Sequence, residues 1–207
     1  MFCQRRQQVP ALVHQGTPTA NCEHTADMAT PIPHITLHMV ASLDGFIASP
    51  DNELSWMEAS WAVYEKGTEL TDAVVAEFLQ RVDCYIMGSH TYELALELGW
   101  PYGDTRTIVV TSRRLAATRD SVEFHAGDLT ALVRGLGQQN AWLVGGPTLY
   151  QEFLRLDLVD EVCLSMDPVL LGEGTPFYRG GRHKLGLKDM TAYRSGMIEL
   201  LYEVIRH

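Results

Sequence analysis

The segment from Asn140 to Leu154 constrains the fold more than any other part of this chain. A short apolar run, Ala141 to Val144, is followed by Gly145-Gly146 and then by apolar residues at helical spacing. The segment therefore predicts a strand, a glycine turn and a helix. Pro147 suits the first helical turn, and the free N–H groups of such a turn attract anions. Two interpretations follow, an ordinary strand-to-helix turn or a phosphate-binding turn.

The rest of the chain alternates strand patterns with helical patterns. Strands are predicted over residues 35–48, 84–87, 107–111, 122–124 and 159–166, and a closing hairpin over residues 184–193 and 197–205. Helices are predicted after residues 88–91, after Asp128 and over residues 70–82, where Leu70, Val74, Phe78 and Val82 form the inward line. The predicted fold class is α/β, with a mixed, mainly parallel sheet, flanking helices on both faces and a C-terminal antiparallel hairpin.

Composition excludes several classes of function. The chain has 26 acidic and 16 basic side chains, and a net charge of -10 disfavours binding to nucleic acid or to an anionic membrane. No apolar run is long enough to span a bilayer. The four cysteines are scattered, so the sequence predicts no metal site and no disulfide framework, and it fits a reducing cytoplasm. Cys84 and Cys163 lie in apolar runs and are predicted to be core residues.

The first 33 residues have no sustained periodicity, and we interpret residues 1–33 as a poorly ordered N-terminal extension. No apolar stretch of the length of an export signal follows Arg5-Arg6. Patterned sequence begins shortly after Met28, so translation from Met28 is a hypothesis that intact mass can test. Residues 34–207 are predicted to form one domain.

Three loops follow predicted strands and could converge on one ligand. They contain Gly88 to Thr91, Thr111 to Arg114 and Gly145 to Thr148. In an α/β sheet the loops at the carboxyl ends of parallel strands line the ligand crevice. The dinucleotide fingerprint G-x-G-x-x-G, the phosphate-binding loop G-x-x-x-x-G-K-[ST], G-x-S-x-G and H-E-x-x-H are all absent from the sequence. The remaining pattern favours an anion-rich ligand such as a pyrophosphate with an additional phosphate.

Six motifs in order resemble a known family: S-L-D-G-F-I-A, I-M-G-S-H-T-Y-E, W-P-Y-G-D, V-V-T-S-R-R, V-G-G-P-T-L-Y-Q-E-F-L and D-P-V-L-L-G-E-G-T-P-F-Y. From about Ile35 to the C-terminus the chain resembles the dihydrofolate reductase superfamily, and within it the bacterial branch related to the reductase domain of riboflavin biosynthesis. The resemblance implies a dihydrofolate reductase-like fold, an NADPH cofactor and a cis Gly145-Gly146 peptide bond. It also suggests a homodimer, although the sequence itself indicates no interface.

The resemblance implies a set of cofactor-binding residues. Ala48 would meet the nicotinamide carboxamide, and guanidinium groups at Arg113 and Arg114 would favour the 2'-phosphate of NADPH. The whole set is Ala48, Gly88, Ser89, His90, Thr91, Thr111, Ser112, Arg113, Arg114, Gly145, Gly146, Pro147, Thr148 and Leu149. Alternative interpretations stay open, since His90 could be a surface helix residue, Ser112 a turn residue, and Arg113 and Arg114 a solvated charge pair.

The catalytic residues are less defined by the sequence. Dihydrofolate reduction relies in the familiar enzymes on a carboxylate five residues after a loop tryptophan, but Trp61 stands five residues after Trp56. Asp44, Glu58 or a bound water could supply the proton, and Asp44 could instead bind backbone amides in its turn. Phe46, Trp56, Trp61 and Tyr64 predict an aromatic substrate pocket, with a plain hydrophobic core as the alternative. We interpret His38 as a hydrogen-bonded core histidine.

The sequence thus predicts an NADPH-dependent reductase that transfers hydride to a small, flat or heterocyclic substrate. Phe46 stands where the riboflavin branch often carries a basic residue, which argues against a sugar phosphate as substrate. A riboflavin-pathway pyrimidine reductase is one alternative. A nucleotide-binding regulatory protein without turnover is another.

Overall fold

The computed structural model of the chain describes residues 33–58 and 64–206. Its strands are β1 (His34–Ser42), β2 (Phe46–Ala48), β3 (Cys84–Gly88), β4 (Arg106–Val110), β5 (Val122–His125), β6 (Asn140–Leu143), β7 (Glu161–Asp167), β8 (Thr175–Pro176), β9 (Lys184–Ala192) and β10 (Ile198–Ile205). Its helices are α1 (Asp72–Leu79), α2 (Ser89–Glu97), α3 (Leu129–Gly135) and α4 (Pro147–Arg155), with a 3₁₀ helix at Ser55–Glu58. The predicted N-terminal extension lies outside the described residues except for Pro33, and so does the proposed start at Met28.

One eight-stranded sheet has the order β5-β4-β3-β6-β1-β7-β10-β9. The neighbours from β5 to β7 pair in parallel, whereas β10 pairs antiparallel with both β7 and β9. β2 and β8 form a separate antiparallel pair. The predicted fold class, a mainly parallel mixed sheet closed by a C-terminal antiparallel hairpin, is confirmed.

Helices cover both faces of the parallel part of the sheet. On one face, Leu129 and Val133 of α3 and Phe153 of α4 pack in a cluster with Ile35 and Ile86 of the sheet. On the other face, the cluster contains residues of α1, α2 and the strands beneath them, among them Phe78, Tyr92, Ala95, Tyr85 and Trp142. No helix in the described part of the chain is long and apolar enough to cross a membrane.

The first predicted strand is divided by a turn. Residues 43–45 form this turn between β1 and β2, and Gly45 has a φ of +83°. A residue with a side chain rarely adopts this backbone conformation, so the alternating apolar pattern cannot continue through it as one strand.

The inward face of α1 also differs from the prediction. Val74 is 38% exposed, whereas the neighbouring Val75 is only 8% exposed. Leu70 and Val82 lie outside the helix, and a repeat of four residues drifts around a helix with 3.6 residues per turn. The predicted inward line was therefore wrong at Val74.

Candidate functional site

A cleft of about 980 Å³ opens at the carboxyl ends of the parallel strands. This volume lies at the upper end of the range for ligand sites, about 300 to 1,000 Å³. The cleft gathers ten of the predicted cofactor-binding residues: Ala48, Gly88, Ser89, His90, Thr91, Gly145, Gly146, Pro147, Thr148 and Leu149. The order of the sheet explains this, because β3 and β6 are neighbours and each leads directly into a glycine and a helix.

The two helices that begin at the cleft have no side-chain cap. α2 has Gly88 at its N-cap and α4 has Gly146, and neither makes a side-chain hydrogen bond to the first turn. In contrast, Thr71 caps α1, and Asp128 caps α3 by accepting a hydrogen bond from the Ala131 N–H. The N–H groups of the first turn of α2 therefore remain available to an anion at the cleft. In the first turn of α4 only Thr148 offers one, because Pro147 has no N–H and the Leu149 N–H donates to the Gly146 carbonyl at 3.0 Å.

The two glycine turns are joined by a backbone hydrogen bond. The Gly88 N–H donates to the Gly145 carbonyl at 2.9 Å, and the Gly145–Gly146 peptide bond is cis, as the resemblance implies. Gly145 has a φ of +123°, and a Cβ added to it would lie 3.3 Å from the Thr91 Oγ1 atom. The absence of a side chain at Gly145 thus keeps this part of the cleft open to a ligand.

The predicted phosphate-binding residues after β4 lie beyond the cleft lining. Val110, the last residue of β4, lines the cleft, but Thr111, Ser112, Arg113 and Arg114 do not. The Thr111 Oγ1 atom accepts a hydrogen bond from the Arg113 N–H at 3.0 Å, and Ser112 and Arg114 are exposed. Thr111 directly follows Val110, so this loop begins at the cleft, although neither Arg113 nor Arg114 is part of its lining.

Asp44 binds backbone amides of residues 171 and 172, whereas one of the two alternatives left open by the sequence was binding to those of its own turn. Its carboxylate accepts hydrogen bonds from the Leu171 and Gly172 N–H groups at 3.1 and 2.7 Å and from the Ser42 hydroxyl at 2.6 Å. The hydrogen bond from Ser42, followed by those from the two amides, lowers the pKa of Asp44 to about 2. Asp44 does not line the cleft. The side chain of Glu58, the other predicted acid, lies outside what the structure describes.

The described members of the predicted aromatic pocket do not line the cleft. Phe46 pairs with Pro176 between β2 and β8, and Tyr64 is 45% exposed. The Trp56 Nε1 atom is buried without a hydrogen-bond partner, although Trp56 does not line the cleft. Trp61 lies outside the described residues.

Other aromatic and apolar side chains line the cleft instead. They include Met57, Leu79, Tyr85, Tyr102 and Trp142. Tyr85 and Tyr102 pack with ring centroids 4.7 Å apart, and Tyr85 meets Trp142 edge to face. The sequence predicted Tyr85 and Trp142 in strands and Leu79 in a helix, and a strand residue that faces a cleft has the same local pattern as one that faces a helix.

His38 is the most unusual residue of the lining. Its ring stacks on Trp142 with centroids 4.5 Å apart and planes inclined by 7°. The sequence predicted a hydrogen-bonded core histidine, but Nε2 is buried and has no hydrogen-bond partner. Burial disfavours the charged imidazolium and lowers the pKa of His38 to about 4, so the ring is neutral at pH 7.

A buried polar cluster adjoins His38 on the side of the sheet that continues into β7 and β10. The ligating atoms of His38, Cys163 and Glu199 lie within 4.8 Å of one another, and all three residues are buried. The sequence prediction that Cys163 is buried is confirmed. Nothing in the sequence indicated that Glu199 lies here, because its strand pairs with β7 only through the fold.

Comparison with known proteins agrees with this architecture. The family model described as the RibD C-terminal domain matches residues 33–198. The chain is 31% identical over 147 residues to the uncharacterized protein YwjB of Bacillus subtilis (strain 168), covering 69% of this chain and 80% of that protein.

Two solved structures share the fold. A protein of Shewanella sp. PV-4 described as a riboflavin biosynthesis protein has a TM-score of 0.69 and 23% identity, over 84% of this chain and 99% of that chain. Dihydrofolate reductase from Enterococcus faecalis complexed with NADP(H) and RAB-propyl has a TM-score of 0.54 and 14% identity, over 84% of this chain and 97% of that chain. The dihydrofolate reductase-like fold expected from the motifs is thus confirmed, and the chain belongs to the RibD C-terminal domain family.

Proposed function

We propose that this chain is an NADPH-dependent reductase that transfers hydride to a flat, uncharged acceptor bound in the cleft. The observation that carries the proposal is the pair of uncapped helix starts at Gly88 and Gly146, which border one cleft and leave the first-turn N–H groups of α2 and the Thr148 N–H of α4 available to a pyrophosphate. Bound NADPH would supply the hydride, and the protein would orient the cofactor and exclude water.

The residues around the cleft fit a dinucleotide with a 2'-phosphate. Gly145 and Gly146 offer bare backbone at the floor of the cleft, where a Cβ at Gly145 would approach Thr91. Arg113 and Arg114 stand beyond the end of β4 and supply the cations that a 2'-phosphate requires. Ala48 lines the same cleft on the side of β2 and fits the predicted contact with a carboxamide.

The acceptor end of the cleft supports an uncharged, planar substrate. Trp142, Tyr85 and Tyr102 give it aromatic walls, and Met57 and Leu79 give it apolar ones. Among the described residues of the lining there is no Lys or Arg, and Glu152 is acidic. A sugar phosphate would have no Lys or Arg side chain to bind among these residues, whereas an aromatic ring could pack against the aromatic and apolar side chains.

The riboflavin-pathway pyrimidine reductase stays as a second candidate because the chain belongs to the RibD C-terminal domain family. It requires recognition of a pyrimidine that carries a sugar phosphate. The absence of a cation from the described lining favours the first candidate. The third candidate is a nucleotide-binding regulatory protein. It would use the helix starts and the glycine turns to bind the nucleotide but would not reduce a substrate.

The first experiment is titration of the protein with NADPH and NADH, followed by quenching of tryptophan fluorescence. Trp142 lines the cleft and serves as the reporter. Arg113→Ala is expected to weaken NADPH binding selectively. Arg106→Ala is the matched control, because Arg106 also pairs with an exposed glutamate but lies at the opposite end of β4. Failure of wild-type protein to bind either nucleotide would remove the reductase proposal.

The second experiment distinguishes the three candidates. NADPH oxidation is measured with menadione, with a dihydropterin and with an aminouracil that carries a ribose phosphate. We expect turnover with an uncharged planar acceptor. Turnover with the sugar phosphate alone would favour the riboflavin-pathway reductase, and tight NADPH binding without oxidation by any acceptor would favour the regulatory protein.

A further inference from the structure

A line of buried polar side chains leads from the cleft into the sheet across three neighbouring strands. In the strand register His38 of β1 lies opposite Cys163 of β7, and Ser165 of β7 lies opposite Glu199 of β10. Residues opposite each other in a sheet share a face, so these side chains form one continuous row. His38 also lines the cleft, which makes it the member of the row that a bound ligand can touch.

Glu199 is the acidic end of this row and is 3% exposed. It accepts hydrogen bonds from the Ser165 hydroxyl at 3.4 Å and from the Tyr193 hydroxyl at 3.5 Å. The titratable groups that face it are Cys163 from β7, Tyr193 from the end of the hairpin, His38 from β1 and, at longer range, Asp189 from β9. No cation belongs to this set, so nothing among the described neighbours stabilises an ionised carboxylate by charge.

Burial therefore dominates the titration of Glu199 and raises its pKa to about 8. At neutral pH the carboxyl group retains its proton. His38 has the opposite shift, because burial keeps its ring neutral. A neutral imidazole has one N–H donor and one free lone pair, which is the form that can receive a proton on one nitrogen while it gives one from the other.

We propose that Glu199 stores the proton used in the reduction and that His38 delivers it to the acceptor in the cleft. This inference rests on the proposed reductase function and answers the question of the proton source. His38 is the catalytic residue in this scheme, because it lines the cleft. Glu199 acts through His38 and does not touch the acceptor.

Bound NADPH would supply a hydride, and a new C–H bond would form at one atom of a polar double bond of the acceptor. The neighbouring nitrogen or oxygen of that double bond takes the N–H proton of His38. The polar atoms of His38 and Glu199 lie within 4.8 Å of each other, so a small rotation of the two side chains brings them to hydrogen-bond distance. The other ring nitrogen of His38 then takes the proton of Glu199, which becomes a carboxylate. After product release Glu199 regains a proton from water, so the protein returns to its starting state.

The other candidates for the proton source fit less well. Asp44 accepts three hydrogen bonds and does not line the cleft, so its carboxylate is held ionised away from the acceptor. A metal ion held by His38, Cys163 and Glu199, whose ligand atoms lie within 4.8 Å of one another, would occupy the lone pairs that the proton transfer requires. It would also displace the hydrogen bonds that Glu199 accepts from Ser165 and Tyr193.

The first arm of the test needs no substrate. The infrared band of a protonated carboxyl group is followed between about pH 6 and pH 10 in wild type, Glu199→Gln and Glu203→Gln. Glu203 lies on the same strand but is exposed, so Glu203→Gln is the matched control. We expect a band that disappears with a midpoint near 8 in wild type and in the control, and that is missing in Glu199→Gln.

The second arm measures the rate of NADPH oxidation against pH with the uncharged acceptor that wild type reduces fastest. We expect the wild-type rate to fall above the pKa of Glu199. Glu199→Gln is expected to reduce the rate by about a hundredfold and to abolish that pH dependence, with NADPH affinity unchanged. His38→Gln is expected to reduce the rate of NADPH oxidation by a similar factor. Glu203→Gln is expected to keep both the wild-type rate and its pH profile.

Three results would overturn the inference while leaving the cofactor site intact. They are a carboxyl band that persists in Glu199→Gln, an alkaline fall in rate that persists in this variant, and tight binding of Zn²⁺ that requires Cys163 and Glu199. Loss of NADPH binding in wild type is a different outcome, because it removes the reductase function itself. NADPH binding without any oxidation by wild type would also remove the proton role.

Discussion

Arg113 and Glu93 form a two-point ion pair at the rim of the cleft. The Arg113 guanidinium donates to the two carboxylate oxygens of Glu93 at 2.8 and 2.6 Å. The hydrogen bonds and the charge of Arg113 lower the pKa of Glu93, so the carboxylate is ionised at neutral pH. Glu93 lies on α2, two residues after Thr91 of the cleft lining, and therefore holds the proposed phosphate-binding arginine against the helix that starts at the cleft.

This pair predicts that Glu93 opposes NADPH binding. The two side chains are 47% and 39% exposed, and solvent screening makes an exposed ion pair weak. A 2'-phosphate with two negative charges can therefore displace the carboxylate, but at a cost. We expect Glu93→Gln to tighten NADPH binding by about threefold to fivefold and to leave NADH binding unchanged. Fluorescence titrations of both nucleotides at low and high salt measure this ratio.

Arg113→Ala tests the basic member of the same ion pair. We expect this variant to weaken NADPH binding by about tenfold or more, since a charge-assisted fork to the phosphate is lost. An equal loss for NADPH and NADH would contradict a role of Arg113 at the 2'-phosphate. Glu123→Gln is a suitable control for Glu93→Gln, because Glu123 also pairs with an exposed arginine and does not line the cleft.

The bare backbone at Gly145 predicts a second result. Its φ of +123° is a conformation that side chains rarely adopt, and an added Cβ would come within 3.3 Å of the Thr91 Oγ1 atom. We expect Gly145→Ala to lower the free energy of unfolding by about 1 to 3 kcal/mol and to abolish NADPH binding. Urea unfolding and nucleotide titration measure the two effects.

Gly135→Ala is the control for this substitution. Gly135 lies in α3, and a Cβ there would meet nothing within 4 Å. Alanine in a helix is favoured over glycine, so this variant is expected to gain about 0.5 to 1 kcal/mol and to keep NADPH binding. Normal binding by Gly145→Ala would contradict close approach of the cofactor to the backbone.

Local sequence patterns were sufficient to predict most of the elements that build the cleft. The run from Ala141 through Gly146 into α4 is strand, turn and helix over contiguous residues, so its apolar pattern and its glycines are legible within one short segment. The cap at Asp128 and the closing hairpin were predictable for the same reason. These features depend on residues that are near one another in the chain.

The parts that the sequence did not predict depend on contacts between distant residues. Glu199 reaches His38 only because β10 pairs with β7 and β7 pairs with β1. Asp44 has its role determined by the Leu171 and Gly172 amides, which its own turn does not contain. Likewise, whether Tyr85 faces a helix or a cleft depends on where the helices end, and no periodicity within β3 carries that information.

An ion cluster between β1, β7 and β9 predicts how stability depends on pH. Glu161 is 14% exposed and accepts from the His34 Nε2 at 3.0 Å and from the Lys188 ammonium. The His34 hydrogen bond, followed by that of Lys188, lowers the pKa of Glu161 to about 2, and Glu161 in turn raises the pKa of His34. The stabilisation from Glu161 is present above its ordinary pKa of 4.5 and is lost as the pH falls towards 2.

The contribution of His34 has the opposite sign. It is present below the ordinary pKa of 6.5 and is lost as the pH rises through the raised value in the folded protein. Glu161→Gln is therefore expected to lower the free energy of unfolding most between about pH 4.5 and 6.5, by about 1 to 2 kcal/mol, and much less near pH 2. Urea unfolding at several pH values measures this difference, with Glu203→Gln as a control that is expected to change little. If Glu161→Gln lowers the free energy of unfolding by the same amount down to pH 2, the stabilisation by Glu161 does not come from its charge.

The outer face of the β9–β10 hairpin predicts the oligomeric state. The strand register places four large apolar side chains on one face of the hairpin: Leu185, Leu187, Met190 and Ile198. Each of them is between 39% and 62% exposed. β9 is the edge strand of the sheet, so this face continues to an open edge. Such a patch on a soluble chain is typical of an interface, and we propose that a second copy of the chain covers it.

Leu187→Glu and Met190→Glu test this proposal, because each would bury a charge if the face lies in a dimer. We expect wild type to sediment as a dimer. Each variant is expected to raise the dissociation constant of the dimer by about tenfold or more and so to sediment as a monomer. Leu170→Glu is the control, since Leu170 is 70% exposed and lies outside the hairpin. Both hairpin variants remaining dimeric at micromolar concentration would exclude this face as the contact. A monomeric wild type would leave the patch to a different partner.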